Sequence, residues 1–120
     1  MRYSCTPFLA VGLILTAGCH SANIEAVIRN STDRPIELVE IDYPSASFGT
    51  QALMPGQEYH YRFKILGNGT SKLLWTDATH KEHTQAGPAF RESDEGKLLV
   101  TFKADGPVWE TQLTNHGQRR

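Results

Sequence analysis

Tyr59-His60-Tyr61-Arg62-Phe63-Lys64-Ile65 alternates apolar and cationic side chains at strict period 2. That spacing puts one set on each face of a pleated strand. It fits no helix, whose apolar stripe recurs every three or four residues. No window elsewhere sustains a 3.6-residue apolar period, so no long helix is expected. Shorter runs of the same character are residues 24–29, 36–43, 72–76, 80–85, 97–103 and 108–113, separated by turn-forming clusters such as Asn30-Ser31-Thr32-Asp33-Arg34-Pro35 and Asp105-Gly106-Pro107. Alternation slips near Val39, which predicts a β-bulge or burial on both faces. Asn68-Gly69 is the strongest hairpin signal and predicts a two-residue turn joining the 59–65 strand to the 72–76 strand. Residues 44–49 and 86–96 read as loops.

About seven short strands with frequent turns predict an all-β chain folded as a single small β-sandwich. With 120 residues, 39% of them hydrophobic, there is enough apolar material for one core and no sign of disorder. The pattern resembles a generic immunoglobulin-like sandwich, although the Cys…Trp…Cys spacing of antibody domains is absent. Trp75, Trp109, Phe63, Phe102, Tyr59 and Tyr61 are the expected large core residues. The 12 basic and 13 acidic side chains nearly cancel, which excludes a basic nucleic-acid footprint.

The amino-terminal segment carries a different message. Arg2 precedes the apolar run Phe8-Leu9-Ala10-Val11-Gly12-Leu13-Ile14-Leu15, which is followed by the small residues Ala17-Gly18 and then Cys19. A cation, a short apolar run and small residues at a cleavage point describe a secretory signal. The run is too short to span a bilayer, which takes about 20 apolar residues. Leu15-Thr16-Ala17-Gly18-Cys19 resembles the lipobox of bacterial lipoproteins, with Leu at −4 rather than at the family's usual −3. The resemblance covers residues 1–19 only. It implies cleavage between Gly18 and Cys19, lipid on the Cys19 sulfur and an acylated (palmitate-type) new amino terminus. The alternative is ordinary secretion with cleavage near Gly18 or Ala22. Cys5 lies in the removed segment, so the mature chain would keep only Cys19, and lipidation would account for a single leftover thiol. Removal of residues 1–18 leaves 102 residues. His20 at the position after the lipidated cysteine implies the outer membrane if the host is Gram-negative, in the cell envelope that includes the periplasm.

The expected organisation is a signal peptide over 1–18, a lipidated cysteine and short tether over 19–23, a sandwich over 24–113 and a polar tail over 114–120. Candidate chemistry is sparse. His80-Lys81-Glu82-His83 is neither H-E-x-x-H nor H-x-x-E-H, and residues three apart on a strand face opposite ways. His80 and His83 are therefore weak metal candidates, and the bland reading is a solvated edge strand. His60, Arg62 and Lys64 share one strand face. They are weak candidates for an anion-binding stripe, against a solvated face paired with Glu37 or Asp42. Glu92, Asp94 and Glu95 lack calcium-loop spacing. Asn30-Ser31-Thr32 and Asn68-Gly69-Thr70 match a glycosylation sequon but read as turns. No G-x-S-x-G and no phosphate loop occurs, so no enzyme and no cofactor are expected. The sequence points to a lipid-anchored envelope protein acting as a non-catalytic binding or assembly module. Its partners would be the membrane, through lipid on Cys19, and an envelope protein. The alternatives are a small-ligand or metal-binding periplasmic carrier and a structural surface lipoprotein.

Overall fold

The computed structural model describes residues 21–115. They form eight strands: β1 (Ile24–Asn30), β2 (Ile36–Tyr43), β3 (Ala46–Leu53), β4 (Glu58–Phe63), β5 (Gly69–Thr76), β6 (Glu82–Phe90), β7 (Glu95–Lys103) and β8 (Gly106–Thr114). Two four-stranded sheets face each other, in the orders β4-β1-β7-β8 and β3-β2-β5-β6. The expected all-β sandwich is what forms, with one strand more than the seven anticipated. No helix among the described residues is long and apolar enough to cross a membrane.

The core follows from alternation. Ile24, Ala26 and Ile28 of β1 point inward against Leu98, Val100 and Phe102 of β7, and Val39, Ile41 and Leu73 close on them from the other sheet. Of the expected core aromatics, Phe63 and Phe102 are buried, while Tyr59, Trp75 and Trp109 pack partly buried against the core. Tyr61 does not join it and stays 42% exposed. β4 is an edge strand, so its inner face looks partly past the opposite sheet. There Tyr61 stacks on Phe48 at 4.6 Å, and the two rings close the seam between β3 and β4. The opposite seam is closed by Trp109, whose indole N–H donates to Gln85 Oε1 at 2.8 Å.

The bulge falls where alternation slips. β2 carries one extra residue between Glu37 and Glu40 relative to β5, and Leu38 there adopts φ 51° with its side chain 60% exposed. The same irregularity explains β3, expected as loop over its first residues. Its sequence is poor in branched residues, but Gly49 lets its backbone close on the bulge. A Cβ at Gly49 would lie 2.0 Å from the Val39 carbonyl oxygen.

Three further expectations are corrected. Asn68-Gly69 makes no hairpin, because β4 and β5 lie in different sheets. Residues 64–68 cross between the sheets, with Ile65 buried in the core and Gly67 at φ +99°. Asn68 instead accepts the Glu92 N–H on Oδ1 at 2.8 Å. The loop expected over 86–96 is largely strand. β6 continues to buried Phe90 and tolerates Pro88 because an edge strand has one side without ladder partners. The strand expected from His80 begins at Glu82, because residues 77–81 form a tight turn.

Register fixes which loops share an end. Ile24 lies beside Phe63 and Gly96, while Asn30 lies beside Phe102. The loops 31–35, 54–57, 77–81 and 104–105 therefore gather at one end of the sandwich. The amino-terminal residues 21–23, the crossing 64–68, the loop 91–94 and Asn115 gather at the other. The expected signal peptide, Gly18, Cys19 and residues 116–120 of the expected polar tail lie outside the described residues.

Candidate functional site

A cleft of about 690 Å³ opens at the end remote from the amino terminus. Loops 31–35, 77–81 and the β7–β8 turn form its walls, and Trp75, Phe102 and Ile36 lie beneath them. Its volume falls in the range of small-molecule sites, about 300–1,000 Å³.

One buried side chain positions the first loop. Asn30 is fully buried, at 0% exposure, at the end of β1. Its Nδ2 donates to the carbonyls of Arg34 at 2.8 Å and Leu53 at 2.9 Å. Its Oδ1 accepts the Thr32 N–H at 2.9 Å and the Thr32 hydroxyl at 2.7 Å. All four hydrogen-bonding positions of the amide are used. The local sequon is therefore a turn, as expected, and Asn30 is inaccessible to modification.

Asp77 organises the second wall. Oδ1 accepts from the Thr79 N–H at 2.8 Å, the Thr79 hydroxyl at 2.6 Å and the Lys81 N–H at 3.1 Å. This knot holds His80 in the left-handed region at φ 66°. His83 Nε2 donates to Oδ2 at 2.7 Å. The bond from His83 first, and those from Thr79 and Lys81 after it, hold the Asp77 carboxyl well below the usual carboxylate range. The His83 ring stacks on Trp75 at 5.0 Å, and Trp75 meets Phe102 edge-on at 5.4 Å. Imidazole, indole and phenyl thus form a fixed aromatic wall.

Arg34 and Lys103 also line the cleft, and neither has an ion-pair partner among the described residues. Asp33 lines the rim and is exposed.

The weak candidates from sequence sit as follows. His80 is exposed on the 77–81 turn, while His83 is half-buried and engaged by Asp77. Among the described residues, no group of three His, Cys, Asp or Glu could hold a metal ion. His60 and Arg62 lie on the outer face of β4 and far along the fold from the cleft. Their partners are Glu58 at 3.0 Å and Glu25 at 3.0 Å. The expected partners Glu37 and Asp42 belong to β2, in the other sheet. Arg29 joins the same row at 2.7 Å from Glu58, and with His60 it lowers the Glu58 carboxyl below its ordinary value. Lys64 lies beyond the end of β4 and is exposed. The row is a laced sheet face rather than an open cationic stripe.

Sequence reasoning missed the cleft residues Arg34, Trp75, Asp77 and Lys103. One local signal was available: Asp77-Ala78-Thr79 has the Asp-x-Thr form in which a carboxylate binds its own backbone two residues on.

No protein-family model matches the chain, and no curated protein matches it. The fold is similar to a solved structure described as "NMR structure of the protein from Eubacterium rectale", with a TM-score of 0.50 and 8% identity. The likeness covers 82% of this chain and 91% of that one, and at such identity it extends to the fold alone.

Proposed function

We propose that this chain is a lipid-anchored bacterial envelope protein, a non-catalytic binding or assembly module whose recognition site is the end cleft. The cleft's position carries the reading. β1 rises about 3.3 Å per residue, so its seven residues separate the cleft from the amino-terminal end by roughly 20 Å. A chain tethered through lipid on Cys19 would hold its amino-terminal end near the bilayer and present the cleft to the aqueous side. His20 supports the outer membrane in a Gram-negative host.

The small-ligand carrier is a second reading, favoured by the cleft volume. The two differ in what occupies the cleft in cells. A photo-crosslinking residue at Ala104, on the cleft wall, tests the first, with Gln112 on β8 as control. A discrete envelope protein trapped from Ala104 and not from Gln112 is the expected result. Equal trapping from both positions, or none from Ala104, sinks it. The mass of protein taken from its own membranes tests the anchor. A chain beginning at Cys19 and carrying acyl groups is expected, and an unacylated chain refutes lipidation.

A further inference from the structure

We propose that the end cleft takes a small anionic ligand, a carboxylate carried on an aromatic or aliphatic body, with the anion meeting Arg34 and Lys103 and the body lying against Trp75 and Phe102. The inference rests on the second reading above, in which a small ligand fills this cleft.

The charge follows from which groups are already satisfied. Two acidic and two basic residues line the cleft. Asp77 spends both oxygens inside the protein, on the 77–81 turn and on His83. It offers an incoming cation little. Among the described residues Arg34 and Lys103 make no ion pair, and exposed Asp33 lies on the rim. Arg34 sits on the loop that Asn30 ties down, so the backbone that carries the cation is fixed before a ligand arrives. Pre-organisation of this kind lowers the ordering cost of binding. Two cations flanking one space suit a carboxylate, which accepts from several donors at once.

The body of the ligand follows from the floor. Phe102 and Ile36 are buried, Trp75 is half-buried, and Pro35 and Pro107 stand above them. Water over such a floor is displaced favourably by apolar surface. A bare anion such as phosphate or acetate would leave the floor wet, and a neutral aromatic would leave the cations unused. His83 is held by Asp77 and stacked on Trp75, so it shapes the wall.

The test uses the full chain in lipid nanodiscs, with empty nanodiscs correcting for partition of the probes. The probes are 2-naphthoate, its neutral analogue 2-naphthalenemethanol, and acetate. Binding is read from the Trp75 and Trp109 indole resonances, since Trp109 lies at the β6–β8 seam. The expected result is saturable movement of Trp75 with naphthoate, at a Kd about tenfold below that of the alcohol, and no movement with acetate at equal concentration. A tenfold preference corresponds to about 1.4 kcal/mol. Arg34→Gln with Lys103→Gln, both on exposed side chains, should erase that preference and leave the fold unchanged. Equal Kd for acid and alcohol, an unaltered preference in the double variant, or shifts centred on Trp109 would overturn the proposal. Movement of Trp75 by acetate equal to that by naphthoate would overturn the role given to the floor. Equal saturable binding of acid and alcohol would refute this inference and leave the carrier reading standing, whereas a protein crosslinked through Ala104 without binding of either would refute both. Naphthoate binding by a chain lacking acyl groups would refute the anchor alone.

Discussion

Replacing Asn30 with Ala removes four hydrogen bonds made by a fully buried side chain. Each intramolecular bond is worth about 1 kcal/mol net, and a buried group left without a partner costs about 1–3 kcal/mol. Not every partner is orphaned. The Arg34 carbonyl keeps the Thr32 hydroxyl at 3.0 Å. The Leu53 carbonyl and the Thr32 N–H each lose a side-chain partner. The expected loss is therefore about 3–5 kcal/mol, a large share of the roughly 5–15 kcal/mol a domain possesses. At about 4–8 °C per kcal/mol for a domain of this size, the midpoint should fall by roughly 12–40 °C. Urea unfolding of wild type and variant, at equal slope, measures it. Asn30→Asp separates hydrogen bonding from shape. It keeps the Oδ1 acceptor but faces two carbonyls with a carboxylate, so it should be at least as unstable at neutral pH. Burial beside two carbonyls raises that carboxyl's folded pKa, so the variant should gain relative to wild type as pH falls. A loss under about 1 kcal/mol for Asn30→Ala would refute the assignment of Asn30 as the tie between β1, the 31–35 loop and β3.

Gly49→Ala places a Cβ on the Val39 carbonyl at the bulge, and should cost about 1–3 kcal/mol in denaturant unfolding. Gly87→Ala would put a Cβ 2.5 Å from the Trp109 ring, so it should raise the solvent accessibility of Trp109 to acrylamide quenching while leaving Trp75 unchanged. The Asp77 carboxyl is held below its ordinary value of 3.8 in the fold, so the stability it contributes is full above that value and is lost as pH falls below it. Asp77→Asn should be less stable than wild type at pH 7, with the gap narrowing as acid unfolding is followed downward from about pH 4. A gap that stays constant with pH would contradict the role given to Asp77.

Fold class was legible because alternation is a face-by-face record of burial, and it survives wherever one face meets a core. The break near Val39 marked the bulge for the same reason. β3 was hidden because Gly49 and small polar residues form a strand on the strength of a partner rather than of their own preference. Asn68-Gly69 misled because a hairpin signal is local, whereas burial of Ile65 carries the chain across to the other sheet. His60 and Arg62 pair with Glu58 and Glu25 rather than with Glu37 or Asp42, because those partners depend on strand neighbours that spacing does not reveal. The cleft was the least legible feature. Arg34, Asp77 and Lys103 meet only through the fold, and an unpaired cation looks like any other in sequence.

The place of β1 has a mechanical consequence. It is an interior strand, bonded antiparallel to β4 on one side and parallel to β7 on the other. Tension drawn through residues 21–23 acts along its axis and loads both ladders in shear, so their bonds must fail together. An edge strand peeled from its end would surrender them one by one. Traction on residues 21–23 therefore meets the sheet in its stiffest direction.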